Sequence, residues 1–420
     1  MLKITVSAGV LLFSASAFAA GFDCSLSTLN QTEQTICGDS YLSGIDNKLN
    51  TLFATAQANS FGHGSLYRQQ RQWVRTRNKC GADAECIKKA YLSRNDALIA
   101  VSPFIAFDKA FSRRVDSPDP PMSTSLRNKN GFTLSDDPWR VKRLLSTDYD
   151  LLYLNKLSYR EWHILTHRII HGDLTLFLTV KGLSNNGWIS YIFQVSEFSP
   201  PLMVASYSAD DDVLTIRYEP SKDGRVRYSL FQAEKGTTRE IIDYVRTIYS
   251  LDTENDRVDE ISREIVSPEA IKPEPWIGYC DSQRCKSRVT SPDGKWRLAS
   301  ADGYKNDDDE GVYYFPADRP DLGVNVFLPQ ADTAVTKDYE YERSYVWGDE
   351  NTFYFDNYGG YACIWKTDIV NKTTRRILPA EGIVQPYYVS YDHEDLIITT
   401  YRYYDELQKK QVDEIYVAKK

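Results

Sequence analysis

Several signatures that would assign chemistry are missing from these 420 residues. There is no Gly-x-Ser-x-Gly elbow, no phosphate loop, no dinucleotide fingerprint and no His-Glu-x-x-His. These gaps remove the serine hydrolases, nucleotide-binding enzymes and zinc peptidases that such motifs mark. Excess positive charge is also absent: 50 Lys and Arg face 58 Asp and Glu, for a net charge of -8, which argues against a nucleic-acid role. Beyond the first twenty residues there is no long apolar run, so no membrane-spanning helix is expected. Carboxylates are abundant, but no spacing selects one pair as acid and base. No catalytic residue, metal site or cofactor is expected, and the chain is read as a non-enzyme.

What is present begins with a leader. Lys3, the apolar run Val10 to Phe13 and the small residues Ala17-Phe18-Ala19 form a secretory signal over residues 1–19, with cleavage after Ala19. A periplasmic protein is the simplest expectation. An oxidising compartment agrees with four of the seven cysteines falling between Cys24 and Cys86.

In that stretch Leu42, Ile45, Asp46, Leu49 and Phe53 recur at three and four, predicting a helix over 39–57. Asn59, Ser60, Gly62 and Gly64 break it. Leu66, Gln70, Trp73, Val74 and Arg77 repeat the spacing up to Cys80, and Cys86, Ala90, Tyr91, Arg94 and Leu98 repeat it again. A three-helix domain over 20–105 is expected, small enough to need staples. Four cysteines allow three pairings. Cys37 opens the first helix and Cys80 closes the second, so antiparallel geometry favours Cys37 with Cys80 and Cys24 with Cys86. Of the polar residues, Asp46 is expected to pair with an arginine of the second helix and Trp73 to fill the core.

The series Glu33-x-x-Ile36-Cys37, Ile45-Asp46, Gln70-Arg71-x-Trp73-Val74-x-x-Arg77-x-x-Cys80 and Cys86-x-x-x-x-Tyr91-x-x-Arg94 resembles the N-terminal domain of LprI-type lysozyme inhibitors. The likeness covers about 75 residues. It implies a disulfide-linked helical fold in an exported protein, and lysozyme as a target class.

Asp116-Ser117-Pro118-Asp119-Pro120-Pro121 marks a linker over 106–125. From 126 to 420 the chain changes to short runs rich in Tyr, Val, Ile, Phe and Thr, read as strands. Five of them share a form, centred on Phe193, Leu230, Val326, Trp365 and Ile415, and advance by about 37, 96, 39 and 50 residues. If the step of 96 spans two units, the period is that of propeller blades, with room for six or seven. Ser291-Pro292-Asp293-Gly294-Lys295 before Trp296 is similar to blade turns of TolB-like propellers. The expected class is therefore α plus all-β, with a β-propeller-like second domain; a two-sheet β-sandwich is the alternative.

Cys280 and Cys285 would close a hairpin as a third disulfide, and Cys363 has no evident partner. His163, His167 and His171 would align on a helix, but their surroundings read as a turn between strands. The acidic runs at 306–310 and 252–260 read as solvated loops.

Charge is unevenly placed. Ala20 to Ala100 holds nine basic and seven acidic residues, a balance of +2. Lys3 adds +1 ahead of it, so the remainder carries -11. An acidic body suits a cationic protein partner such as a lysozyme. The expected function is a periplasmic protein that inhibits a cell-wall-active hydrolase by protein contact. The alternative is an envelope scaffold with a ligand-binding propeller.

Overall fold

The structure, a computed structural model, describes residues 21–111, 126–146 except 129, 151, 154, 157, 159–210, 214–235, 241–267 except 254 and 256, 290–300, 312–327, 345–357, 363–379, 383–405 and 409–420. The leader, the proline cluster 116–121, Cys280, Cys285 and the acidic run 306–310 lie outside them. The chain divides into two compact units, Met1–Pro103 and Phe104–Lys420.

Among the described residues the first unit contains four α-helices rather than three: α1 (Gln31–Gly38), α2 (Ser40–Ala58), α3 (His63–Arg77) and α4 (Ala84–Ile99). The addition is α1, which ends where the expected helix began, at Asp39. The Asp39 backbone is extended (φ -117°, ψ 117°), and its carboxylate accepts from the N–H groups of Tyr41 and Leu42. Capping α2 in this way ends α1, because an N-cap cannot keep helical angles. Asp83 caps α4 through Glu85 and Cys86. Asn30 and Glu33 form a reciprocal capping box on α1. Ile36, Leu42, Leu49, Leu66, Ile87, Tyr91 and Leu98 fill the interior.

The disulfides differ from the expected pairing. Cys24 bonds Cys37 and Cys80 bonds Cys86. The antiparallel argument failed because α1 is a separate helix, so Cys37 stands at an α1–α2 corner and not at the start of a helix beside α3. The segment before α1 folds back to reach it. Cys80 ends the turn after α3 and Cys86 lies in the first turn of α4, so that bridge clamps one tight corner.

The second unit starts earlier than the expected linker allows. Phe104 is 1 % exposed, and β1 (Ile105–Ala106) and α5 (Phe107–Phe111) follow it. Phe107 packs in a core with Trp139 and Tyr401, so residues 106–111 belong to the β unit.

After β2 (Leu126–Arg127), β3 (Thr133–Asp136) and β4 (Arg140–Ser146), strands come in groups. The first sheet holds β5 (Tyr159–Ile170), β6 (Asp173–Ser184), β7 (Gly187–Ser196) and β8 (Ser199–Ala209); the second holds β9 (Thr215–Glu219), β10 (Val226–Lys235), β11 (Ile241–Asp252) and β12 (Arg257–Val266). The third holds β13 (Trp296–Ser300), β14 (Val312–Pro316) and β15 (Val324–Phe327). The fourth holds β16 (Tyr345–Trp347), β17 (Thr352–Asn357), β18 (Cys363–Asp368) and β19 (Thr373–Leu378); the fifth holds β20 (Ile383–Tyr391), β21 (Glu394–Asp405) and β22 (Lys410–Lys419). The described residues thus form five sheets, against an expected six or seven blades or two sandwich layers. The five recurrent segments fall one per sheet, in β7, β10, β15, β18 and β22. The step of 96 separates consecutive sheets among the described residues.

Early strands complete late sheets. β4 pairs antiparallel with β22, and β3 pairs parallel with β19. Alternation explains how the apolar strands are buried on both faces. In β17, Phe353 and Phe355 enter the core shared with the third sheet while Tyr354 enters the core shared with the fifth. In β18, Trp365 and Ile364 divide the same way. Burying each such side chain contributes about 1.5–3 kcal/mol. A third core, with Phe177, Ile192, Tyr228 and Leu251, joins the first and second sheets.

The hairpin of β5 and β6 turns at His171 (φ 52°) and Gly172 (φ 83°), two consecutive left-handed residues as a type I′ turn requires. A register shift between Ile164 and Thr166 breaks the two-residue repeat, pairing His163 with Thr179 but His167 with Leu176. His163 and His167 therefore point to opposite faces.

Candidate functional site

Five of the eight motif residues of the helical unit meet in one buried network. Tyr91, on α4, donates its hydroxyl to Asp46 Oδ1 of α2 at 2.5 Å. Arg77 ends α3 and donates from Nη1 to the Tyr91 oxygen at 2.8 Å, with the same nitrogen 3.9 Å from Asp46 Oδ1. Its Nη2 lies 3.7 Å from Glu33 Oε1 and donates to Asn78 Oδ1 at 2.8 Å. The guanidinium stacks over Trp73 (5.3 Å) and Tyr91 (5.7 Å), and Trp73 donates Nε1–H to the Ala90 carbonyl at 3.0 Å. The Asp46 and Arg77 side chains are each 5 % exposed.

Burial, and then the bond to Asp46, push the Tyr91 phenol far above its ordinary value. Tyr91 therefore stays protonated and acts as a donor, not as a base. The network ties all four helices together. It is a fold-holding device, and the second oxygen of Asp46 accepts from the Gly21 N–H at 2.5 Å.

The other three motif residues lie apart. Arg71 is exposed, on a side of α3 away from Gln70, Trp73 and Arg77. Arg94 is buried and donates Nε–H to Gln70 Oε1 at 2.8 Å. Asn78, which accepts from two nitrogens of Arg77, was not among the sequence candidates; a single asparagine after a helix carries no signal of that role.

In the β unit, the first and fifth sheets are joined by charge. Asp413 of β22, 3 % exposed, accepts from Arg402 Nε at 2.7 Å and from Trp162 Nε1 at 3.2 Å, with Arg160 Nε at 3.6 Å. Arg402 also donates to the Arg160 carbonyl at 2.8 Å, and Lys142 pairs with Glu197. Nearby, His167 Nδ1 lies 2.9 Å from the Tyr387 hydroxyl. Burial, aided by the Arg168 charge, lowers the His167 pKa. His163 holds the Glu161 carboxyl below its ordinary value through a hydrogen bond. Of these, sequence reasoning named only His163 and His167; the contacts of Trp162 with Asp413, Arg402 with Arg160 and His167 with Tyr387 each span more than 200 positions.

Elsewhere, Asp136 takes Arg376 through both oxygens at 2.7 and 3.0 Å. Glu414 accepts from Arg143 and Tyr416. Among the described residues no cluster of three or more His, Cys, Asp or Glu could hold a metal ion. Cys363 opens β18 opposite Asn357. Within the acidic run 252–260, Asp252 accepts from Asn255, and Asp259 pairs with Arg257 at 2.8 Å on the surface.

No family model matches the sequence, and no curated protein matches it. Solved structures give distant likenesses. One titled a glycoside hydrolase is 7 % identical, with 74 % of this chain and 94 % of that chain covered and a TM-score of 0.28. The β-propeller domain of the Trilobed protease from Pyrococcus furiosus is 12 % identical, covering 60 % of this chain and 65 % of that one at a TM-score of 0.18. A prolyl endopeptidase is 13 % identical, covering 70 % and 41 % at 0.21. Propeller domains of peptidases are thus among the structural neighbours, at scores too low to carry function. Among the described residues no helix is long and apolar enough to cross a membrane.

Proposed function

We propose that the chain is a periplasmic binding protein, exported by its leader, that inhibits a cell-wall-active hydrolase by protein–protein contact. A lysozyme or an effector delivered by a competitor fits the target class. The observation that carries this reading is the inward use of the resemblance motif. Glu33, Asp46, Trp73, Arg77 and Tyr91 hold four helices together. Recognition then falls to exposed side chains, among them Tyr41, Tyr67, Leu92 and Arg71. Tyrosine and arginine are the residue types that protein interfaces favour.

Two local disulfides suit an oxidising compartment. The charge of -11 outside the helical unit and leader would draw a cationic hydrolase and raise its on-rate at low salt. We read the β unit as propeller-like: sheets follow one another in sequence, cores join the first to the second, the third to the fourth and the fourth to the fifth, and the fifth meets the first through Asp413 and Trp162.

The test is inhibition of a panel of muramidases by the mature full chain. Inhibition that weakens with rising salt supports the reading. Unimpaired activity of every enzyme at large molar excess would end it. The second reading, an envelope scaffold, is favoured by the two-fold stitching of early strands β3 and β4 onto late sheets, which makes a rigid binding frame. Recovery of a stable envelope complex without a hydrolase would select it.

A further inference from the structure

The helical unit contains two buried arginines with opposite surroundings. Arg77 has Asp46 at 3.9 Å, Glu33 at 3.7 Å, and hydrogen bonds to Tyr91 and Asn78. Arg94 is 7 % exposed and, among the described residues, has one partner, the neutral side-chain oxygen of Gln70. Its Nη2 is buried with no hydrogen-bond partner, and no carboxylate pairs with it among the described residues. Asn95, the next residue of α4, also has a buried, unpartnered oxygen, Oδ1. Unmet polar capacity is thus concentrated on this part of α4.

A guanidinium cannot shed its charge to relieve such a site. Burial lowers the Arg94 pKa. An ion buried without its counter-charge costs far more than one neutral hydrogen bond returns, whereas an apolar side chain of similar size would cost nothing of the kind. An anion that no described residue supplies would satisfy the arginine here.

We infer that Arg94 is a binding point for a carboxylate, gripped through the Nη1 and Nη2 edge while Gln70 holds Nε. The planar fork of arginine matches a carboxylate through two parallel N–H···O bonds, and the bond to Gln70 fixes the plane of the fork in advance. The carboxylate can belong to a free small acid or to an acidic side chain of a protein. The site stands independently of hydrolase inhibition: a carboxylate response in a chain that inhibits no hydrolase leaves it in place.

The experiment uses the mature full chain with 15N-labelled arginine. The Arg94 Nε–H resonance, identified by its absence in Arg94→Met, is followed during titration with sodium acetate against sodium chloride at matched ionic strength. A saturable shift with acetate alone is expected, together with a rise in Tm that Arg94→Met does not show. Gln70→Glu supplies a built-in carboxylate, so it is expected to raise Tm without ligand and to abolish the acetate response. A blocked Ala-Glu-Ala peptide distinguishes the sources: tighter binding than acetate selects an acidic side chain, weaker binding a free acid. Equal responses to acetate and chloride overturn the inference. So does a response to phosphate alone, or a Gln70→Glu variant less stable than the parent.

Discussion

Tyr91 and Asp46, 45 residues apart, share a buried hydrogen bond of 2.5 Å that fastens α4 to α2. Arg77 completes the group from α3 by donating to the Tyr91 oxygen at 2.8 Å. Tyr91→Phe is expected to lower the stability of the helical unit by about 1–3 kcal/mol, the cost of leaving a buried polar group short of a bond. Asp46→Ala should cost more, about 3–5 kcal/mol, because Arg77 then loses its nearest buried counter-charge. Denaturant titration of the helical far-UV signal measures both, and the double variant should be clearly non-additive. Additive losses would mean that the three residues do not act together.

The bridges close short loops, 13 residues for Cys24–Cys37 and 6 for Cys80–Cys86. Chain-entropy arithmetic gives roughly 3 and roughly 2 kcal/mol for them. Replacing each pair by serine should lower stability in that order. Proteolysis without reduction, followed by mass spectrometry, should recover the linked peptides 24–37 and 80–86. A peptide linking 37 to 80 would contradict the structure.

Asp413 faces two arginines and the Trp162 indole at the meeting of the first and fifth sheets. Asp413→Ala should destabilise the β unit by about 3–5 kcal/mol, since it removes the negative charge that both guanidinium groups face. A loss within the ±0.5 kcal/mol of an ordinary surface replacement would show that the joint contributes little. Unfolding followed by tryptophan fluorescence gives the answer.

His167 is held neutral, with a folded pKa below the ordinary 6.5. Above 6.5 it is neutral in both states and has no effect on stability. Below 6.5 the unfolded chain takes up the proton first, so its contribution to stability falls until the folded pKa is passed. The Glu161 carboxyl, lowered from its ordinary 4.5, adds a later loss as pH falls below that value. His167→Gln should therefore flatten the stability profile just below pH 6.5 and leave the later acid limb unchanged. An identical slope in that interval would exclude His167 as its source.

Local signals were the ones legible in the sequence. The helix expected over 39–57 is α2 at Ser40–Ala58, because period and cap both reside within a few residues. The five recurrent strand segments each land in a separate sheet for the same reason. What was missed is α1 (Gln31–Gly38), ahead of the expected helix start at 39, because eight residues carry little apolar period of their own. That one error carried into the disulfide pairing. The linker reading overran because Phe104 and Phe107 reveal their burial only against Trp139 and other distant residues.

By itself, the sequence determined where helices and strands form, since spacing, caps and turn residues act over one or two turns of chain. Tertiary structure decided which cysteines meet, that β3 and β4 complete sheets formed more than 200 residues later, and that, among the described residues, Arg77 has counter-charges while Arg94 has none. Those outcomes depend on distances between segments far apart in sequence, and such distances exist only after the chain has packed.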